Sequence, residues 1–287
     1  MHVGLARRVE GELGGLRTVE ATGVDRRVGV FLGVQDPHQH VGKLDEAVDL
    51  VVGLGMAPPP GSPGFAVHFG NAYNVALANA NPEYRALLQR ADLLASDGMP
   101  VALAGRRLYP ECAPRWTRVY GPDVMAAVLQ ASGAAGPRHY LLGGSPQTLQ
   151  ELRGQISARW PEAVVVGAES PPFRPESAAE LAERDARVVA SGATIVWVGL
   201  GTPKQDYEVR RLADRMPVTA LGVGAAFDFI AGTVRQAPPW MQRSGLEWAF
   251  RWAVEPRRLT RRYLWGNPRF MWAVGRQAVG RARRDRP

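Results

Sequence analysis

The sequence predicts an α/β protein with a doubly wound, mostly parallel, Rossmann-like sheet and a C-terminal helical appendage rich in arginine and tryptophan. Three observations support this fold class. Short apolar runs alternate with segments of helical periodicity, which is the pattern of βαβ units. Turns that contain glycine follow several of these runs. Beyond residue 234 the composition changes, because arginines and tryptophans are interleaved there.

The chain of 287 residues, 46% of them hydrophobic, is long enough for one large domain with an appendage. We expect a flexible leader at residues 1–26, a Rossmann-like core at 27–234 and a membrane-proximal appendage at 235–287. Cys112 is the only cysteine, so an internal disulfide is excluded and no zinc cluster is indicated. A reducing, cytoplasmic setting suits this composition.

Each element of the core is predicted from its own pattern. Runs of apolar, often β-branched residues predict strands, and apolar residues at helical spacing predict helices. The expected strands are residues 27–35, 65–69, 93–96, 138–144, 163–169, 193–201 and the first part of 218–232. The expected helices are residues 40–55, one helix over 72–91, and helices near 122–133, 146–159, 177–192 and 206–216.

The formal charge of +8 favours an anionic partner, which composition alone leaves open between nucleic acid, an anionic membrane and phosphorylated small molecules. The appendage holds thirteen arginines against three acidic residues, so the excess charge lies there. We expect no signal peptide, since the first 15 residues lack an apolar stretch. No window reaches the roughly 18 unbroken apolar residues of a membrane span.

Turns at the ends of four predicted strands form the candidate binding site. Ligands of an open parallel sheet bind beyond the carboxyl ends of its strands, where glycine lets the backbone approach an anion and a helix N-terminus offers free N–H groups. The glycine pairs in GLGTPK (199–204) and GVGAAF (222–227) both lack the third glycine of the dinucleotide fingerprint. Neither segment matches the Walker motif. Together the turns indicate a diphosphate site. Its candidate glycines are Gly143, Gly144, Gly199, Gly201, Gly222 and Gly224.

Polar residues of these turns extend the hypothesis. Lys204 would neutralise phosphate charge, and Gln205 would hydrogen-bond a base or a sugar hydroxyl. Asp97, between an apolar run and Gly98, is either a turn former or a general base whose pKa burial raises. Asp228, flanked by two phenylalanines, would bind uracil or ribose, or fix a loop.

A series of motifs resembles the WecG/TagA/CpsF glycosyltransferases, in order from about residue 28 to residue 270. The motifs are NAYNVALA, ADLLASDGMPV, RVYGPDVM, LLGGSP, VGLGTPKQD, GVGAAFDFIAGTVRQAPPWM and GLEWAFRWAVEPRRLTRRYL. The last three are long and specific.

The resemblance implies an inverting, metal-independent transfer of an N-acetylhexosamine-type sugar, N-acetylmannosamine or a related one, from a UDP-sugar. The implied acceptor is a polyprenyl-diphosphate-linked saccharide at the inner face of the cell membrane, where the protein would be peripherally attached. The implied pathway is synthesis of a cell-surface polysaccharide, such as a teichoic acid or an exopolysaccharide. We expect no cofactor, no metal and no nucleic-acid partner, and leave homo-oligomerisation open.

The resemblance also suggests roles for individual residues. Asp97 matches the proposed base, Asn71 the asparagine near the first site strand, and Arg118 the arginine before the G-x-D triplet. Gln205 matches the glutamine of the PKQ motif. This sequence departs from the family pattern where Phe69 replaces a threonine, Asp206 a glutamate, Ala225 a glycine and Gln236 an arginine, which leaves the identity of the sugar or acceptor open.

The resemblance also implies that the appendage docks on the membrane and that its arginines complete the active site. Trp248 and Trp252, four residues apart, share one helix face. We expect residues 246–252 to be partly packed and those after 257 to be mostly exposed. The arginines assigned to the acceptor or the membrane are Arg257, Arg258, Arg261 and Arg262.

Two other functions fit parts of the sequence. The glycine turns are compatible with a nicotinamide-dependent oxidoreductase, although the ribose-binding acid expected about 20 residues after the fingerprint is missing. The basic appendage is compatible with a non-catalytic module that binds lipid or nucleic acid.

Overall fold

The computed structural model of the chain describes residues 43–56 and 64–284, except for the side chains of Arg115 and Arg284. The expected leader at 1–26 and the expected strand at 27–35 therefore lie outside the described residues. The division of the chain at residue 234 stays a prediction.

Six parallel strands form one sheet, which confirms the predicted fold class. The strands are β1 (Phe65–Gly70), β2 (Leu93–Ser96), β3 (Arg138–Gly143), β4 (Val164–Glu169), β5 (Ile195–Gly199) and β6 (Thr219–Gly222). Their order across the sheet is β2-β1-β6-β5-β3-β4. The connections that leave the neighbours β3 and β5 run in opposite directions along the sheet, so a crevice opens between them at the carboxyl edge.

Twelve α-helices are present among the described residues. They are α1 (Leu44–Met56), α2 (Ala72–Ala80), α3 (Pro82–Gln89), α4 (Met99–Leu108), α5 (Gly121–Ala131), α6 (Pro146–Arg159), α7 (Ala178–Ala190), α8 (Lys204–Arg215), α9 (Ala226–Ala231), α10 (Pro239–Ser244), α11 (Glu247–Val254) and α12 (Pro256–Arg284). A 3₁₀ helix, Pro110–Arg115, follows α4. No described helix has both the length and the apolar character that crossing a membrane requires.

Successive residues of β5 show how the sheet is covered on both faces. Ile195 and Trp197 pack into one apolar cluster with residues of α1, α5, α6 and α9, and Val196 and Val198 pack into a second with residues of α7 and α8. Side chains of a strand alternate between the two faces, and both faces here are buried. A strand buried on both sides reads as one continuous apolar run, as this one does in the sequence.

The structure differs from two of the predicted elements. The single helix expected over residues 72–91 is two helices, because Asn81 ends α2 and its side chain caps α3, where Pro82 begins the helix. The last predicted strand and turn contain a short strand followed by α9, so Asp228 lies in a helical first turn and not at a strand end.

The appendage is helical, as predicted, and its longest helix packs on the core. Phe270 and Ala273 of α12 are buried in an apolar cluster with Val75 of α2 and Val101 of α4. Gly266 lies against the ring of Tyr73, where a side chain would be crowded. We expected residues after 257 to be mostly exposed, but residues on one face of α12 are buried against the core.

A buried chain of polar groups joins α8 to β1, α2 and α3. Asp206 accepts a hydrogen bond from the hydroxyl of Tyr84 at 2.8 Å and lies 3.2 Å from Nδ1 of His68. Asn74 donates to the same hydroxyl at 2.7 Å. The carboxylate of Asp206, only 1% exposed, is thus satisfied inside the protein and fixes the first turn of α8.

We expect Tyr84→Phe to lower the free energy of unfolding by about 1–3 kcal/mol, because it removes the hydrogen-bond partner of one oxygen of the buried Asp206 carboxylate and of the side-chain nitrogen of Asn74. The matched control is Tyr207→Phe, since Tyr207 lies beside Tyr84 and is partly exposed. Chemical denaturation of the three proteins measures the difference. Equal losses in both variants would contradict the role given to the Tyr84 hydroxyl.

Candidate active site

A cleft of about 400 Å³ opens at the carboxyl edge of the sheet, where the turns after β1, β2, β3, β5 and β6 converge. It brings together most of the residues that the sequence singled out. Those that line it are Asn71, Asp97, Gly144, Gly199, Gly201, Lys204, Gln205, Gly222, Gly224, Asp228, Arg258 and Arg262. Gly143, Arg118, Arg257 and Arg261 do not line it.

Two glycines are required by the shape of this edge. Gly143 has a φ of +125°, and a Cβ there would lie 2.6 Å from the carbonyl of Gly199, so only glycine allows β3 and β5 to approach this closely. Gly224 has a φ of +56°, and a Cβ there would lie 3.2 Å from the amide oxygen of Gln205. Gly143 thus shapes the edge without facing the cleft.

Gln205 joins two of the turns. Its amide oxygen accepts from the N–H of Gly201 at 3.0 Å, and its amide nitrogen donates to the carbonyl of Gly222 at 2.8 Å. The side chain is buried, and backbone groups engage both ends of its amide. The contact with a base or sugar hydroxyl that we expected is therefore not its main role, which is to fix the two glycine turns relative to each other.

Lys204 and Asp228 occupy the wall beside these turns. Lys204 begins α8 and is exposed, so its ammonium group is available to an anion at the helix N-terminus. Burial raises the pKa of Asp228, and the positive charge of Arg258 opposes that effect. The side chain of Phe173, which the sequence analysis did not single out, stands fully exposed at the rim of the same wall.

Asp97 follows β2 and points into the cleft. Its N–H donates to the carbonyl of Gly70 at 3.0 Å, and its Oδ1 accepts from the N–H of Gly121 at 3.0 Å. Burial raises the pKa of Asp97 to about 6, the hydrogen bond from Gly121 opposes the rise, and the negative charge of Glu247 adds to it. A carboxylate of this kind is ionised at neutral pH and is a stronger base than an exposed aspartate.

Asn71 connects this carboxylate to an arginine of the appendage. Its side-chain oxygen caps α2 by accepting from the N–H of Tyr73 at 3.0 Å, and it also accepts from Arg262 at 3.4 Å. A hydrogen bond from the Asn71 side chain helps to stabilise the ionised form of Asp97. Asn71 therefore lines the cleft and is also a helix cap.

Three arginines of the appendage face the cleft: Arg251, Arg258 and Arg262. Burial lowers the pKa of Arg262, whose guanidinium lies over the ring of Tyr73 at 4.6 Å. Within residues 43–56 and 64–284, no carboxylate lies within 4.0 Å of that guanidinium. The Nε atoms of Arg251 and Arg262 are buried and have no hydrogen-bond partner among the described residues. Such groups suit an anionic ligand.

Sequence analysis did not single out Arg251. Arg258 and Arg262 are four residues apart and both line the cleft, whereas Arg257 and Arg261 do not. The four-residue spacing was the available signal. Arg251 gave no such signal, because α11 ends at residue 254 and Arg251 lies on a different helix from the other two.

A second cavity of about 90 Å³ adjoins the cleft and shares Asp97 with it. Its wall includes the aromatic side chains of Tyr73, Trp248 and Tyr263, and also Glu247. Asn71, Tyr120, Arg251 and Arg262 likewise line both spaces. Asp97 therefore lies at the junction of the two cavities.

Arg118, which the resemblance placed among the catalytic residues, lines neither cavity. Its guanidinium forms an ion pair with Glu247 at 3.1 Å, lies 3.6 Å from a carboxylate oxygen of Asp123 and stacks on the ring of Tyr120 at 3.6 Å. Its terminal nitrogens are therefore engaged by protein groups, and its buried Nε has no hydrogen-bond partner among the described residues.

The sequence was also compared with models of protein families. The family model described as the glycosyl transferase WecG/TagA/CpsF family matches residues 34–284. The match covers the sheet, the cleft and the arginine-bearing helices of the appendage.

We expect Asp97→Asn to stabilise the fold at neutral pH and to lose this advantage in acid. The folded protein disfavours the ionised carboxyl, whose pKa is raised from 3.8 to about 6, so the wild type loses stability as the pH rises through this window. The unfolding free energy of the variant minus that of the wild type should increase by about 1–3 kcal/mol between pH 4 and pH 8. Urea denaturation over this range measures it.

The control is Asp49→Asn, because Asp49 is an exposed residue of α1. Its difference from the wild type should stay nearly constant over the same range. A constant difference for Asp97→Asn as well would show that the carboxyl is not held in a desolvated site.

Proposed function

The chain belongs to the WecG/TagA/CpsF family of glycosyltransferases, which act in cell-surface polysaccharide synthesis; on that premise we propose that it transfers a sugar of the N-acetylhexosamine type from a UDP-sugar to a polyprenyl-diphosphate-linked saccharide. Family membership decides against the oxidoreductase and the non-catalytic binding module. The donor, the sugar and the acceptor are the proposal, and it includes N-acetylmannosamine as the first sugar to test.

The observation that carries this proposal is the pair of buried, unpaired arginine Nε groups opposite the glycine turns. Arg262 has no carboxylate partner among the described residues, and a buried guanidinium of this kind is costly unless an anion such as a diphosphate satisfies it. The exposed ammonium group of Lys204, at the N-terminus of α8, faces the same cleft from the other wall. A nucleoside diphosphate therefore fits between Arg262 and the turn that contains Gly201.

The remaining lining suggests how the donor is oriented. We place the uridine towards Asp228 and Phe173, because a carboxyl group can accept from a base N–H or a ribose hydroxyl and an exposed ring can stack on a base. The sugar then extends towards Asp97 and Asn71. Phe69, which is buried and forms part of the cleft lining there, would give the sugar an apolar contact in place of a hydroxyl group.

In this arrangement the reaction is one displacement at the anomeric carbon. The carboxylate of Asp97 takes the proton of the acceptor hydroxyl, whose oxygen forms the new bond as the bond from the anomeric carbon to the β-phosphate oxygen breaks. UDP leaves with the electron pair, and the arginines and Lys204 stabilise its charge. Attack from the side opposite to UDP inverts the configuration. The smaller cavity, on the far side of Asp97, is where the acceptor hydroxyl would enter.

The outer surface of the appendage suits a lipid-linked acceptor. Leu264, Met271, Trp272 and Val279 of α12 are large apolar residues that are more than half exposed. Exposed arginines accompany them, and Arg276 lies over the ring of Trp272 at 4.8 Å. Tryptophan and arginine together favour the headgroup region of an anionic bilayer. We propose that this face attaches the enzyme peripherally to the inner side of the cell membrane.

The catalytic assignment is tested with Asp97→Asn, which removes the base and keeps the acceptor of the Gly121 hydrogen bond. Transfer should fall by about 10²–10⁴-fold while UDP binding is retained. A panel of UDP-sugars with a short-chain prenyl-diphosphate glycolipid, read by mass spectrometry, identifies the donor and measures the rate. Wild-type turnover in the variant would refute Asp97 as the base, and failure of UDP to bind the wild type would refute the proposed donor.

Two sets of arginine variants should separate the donor site from the membrane surface. Arg262→Gln removes the buried cation of the cleft, so UDP binding measured by calorimetry should weaken at least about tenfold.

The double variant Arg276→Gln/Arg283→Gln removes two arginines from a groove at the far end of α12. It should weaken binding to anionic vesicles and leave UDP binding unchanged, and vesicle binding should fall with added salt. The opposite pattern would reverse the two assignments.

A further inference from the structure

Glu247, an acidic residue of the appendage, contacts the loop at 118–121, which hydrogen-bonds to Asp97. Glu247 is the first residue of α11, and its carboxylate has two partners on that loop. Oε1 accepts from the hydroxyl of Tyr120 at 2.5 Å, and Oε2 accepts from Arg118 at 3.1 Å. Its side chain is only 16% exposed and that of Arg118 only 15%, so solvent screens this ion pair weakly.

The loop held by Glu247 is the one that binds Asp97. Val119 donates to the carbonyl of Ser96 at 2.8 Å, directly before Asp97, and the N–H of Gly121 donates to the Asp97 carboxylate. Tyr120 lies between these two backbone contacts, and its ring carries the stacked guanidinium of Arg118. Any movement of the Tyr120 ring is therefore transmitted to the backbone on both sides of the base.

Charge links the same groups. The negative charge of Glu247 raises the pKa of Asp97, and the positive charge of Arg118 lowers it. Since Glu247 pairs with Arg118, it also offsets the charge that would otherwise weaken the base. Glu247 and Asp97 both raise the pKa of Tyr120, so this phenol stays protonated and remains a hydrogen-bond donor.

We propose that Glu247 is a positioning residue for Asp97: from the docked appendage it fixes the loop at 118–121 and neutralises Arg118, so that the carboxylate facing the acceptor is held in place as an effective proton acceptor. This inference rests on the proposed function. It assigns the appendage a part in the chemistry that is separate from the arginines that face the cleft.

The position of Glu247 explains why the appendage must be docked for the base to be complete. Glu247 and Arg251 are four residues apart, so one face of α11 presents both to the region around Asp97. On the same helix, Trp248 packs edge-on against Tyr263 of α12 at 5.9 Å. Displacing the appendage would remove the acid, the arginine and the aromatic wall of the smaller cavity together.

Other titratable groups near Asp97 and Glu247 could also change charge over the pH range of the test. Among the described residues, the charged or titratable groups around Asp97 and Glu247 include Arg118, Tyr120, Asp123, Arg251, Arg262 and Tyr263. Burial raises the pKa values of Tyr120 and Tyr263, so both phenols stay neutral between pH 4 and pH 8. Burial raises the pKa of Asp123, the third carboxyl group, and Arg118 opposes that rise.

The test is the pH dependence of kcat/KM in Glu247→Gln, which removes the charge and keeps a hydrogen-bond acceptor. The acid limb, expected near pH 6 in the wild type, should move to lower pH by about 1 unit. The plateau should fall by about tenfold, because a weaker base accepts the proton less readily. Glu247→Asp keeps the charge and should hold the limb near its wild-type position even if the rate drops.

The matched control is Glu111→Gln. Glu111 forms another ion pair between core and appendage, with Arg281 at 2.8 Å, and lines neither cavity. This variant loses an appendage contact of the same kind, so its acid limb should stay where it is. An equal displacement in Glu111→Gln would mean that weaker docking, and not the charge of Glu247, moves the limb, which would overturn the proposal.

A thermodynamic cycle tests the same coupling without any activity. The stability difference between Asp97→Asn and its parent is followed against pH, once in the wild-type background and once in Glu247→Gln. The pH at which this difference develops should fall by about 1 unit when Glu247 is replaced. An unchanged midpoint overturns the inference, whereas absence of transfer with every UDP-sugar would overturn only the proposed function.

Discussion

The structure depends on the docking of α12 and α11 against the core, because that contact buries charges of both signs at one place. Arg262 enters the cleft over the ring of Tyr73, and Asp97 sits under the loop that Glu247 holds. Desolvation shifts the pKa of each group towards its neutral form. These shifts give the site a strong carboxylate base beside cations that a diphosphate can satisfy.

The arginines of the appendage divide by helix face and not by position in the sequence. Those that face inwards meet the glycine turns, and those that face outwards stand among exposed tryptophan and aliphatic side chains. One helix therefore serves a cleft on one side and a lipid-compatible surface on the other. For the proposed function, such a surface would hold the enzyme at the membrane in which a prenyl-linked acceptor lies.

Polar residues that look alike in the sequence take different parts in the structure. Asp97 lies at the junction of two cavities. The carboxylate of Asp206 is buried and contacts Tyr84 and His68. Asp228 lies in the first turn of α9. Gln205 and Arg118 bind protein groups where a ligand contact was expected. The partners of Asp206, and Glu247 as the partner of Arg118, lie more than 100 residues away in sequence, so no local pattern contains them.

The sequence by itself determined the parallel sheet, the glycine turns at its carboxyl edge and the basic helical character of the appendage. These features follow from periodicity, from glycine and from charge, which are properties of short segments. Only the tertiary structure decided which arginines enter the cleft, that Glu247 contacts Tyr120, and that Asp97 faces two cavities. The physical reason is that burial of the arginines and pairing of Glu247 depend on contacts between helices that are distant in sequence. The packing of α12 on α2 brings these groups together.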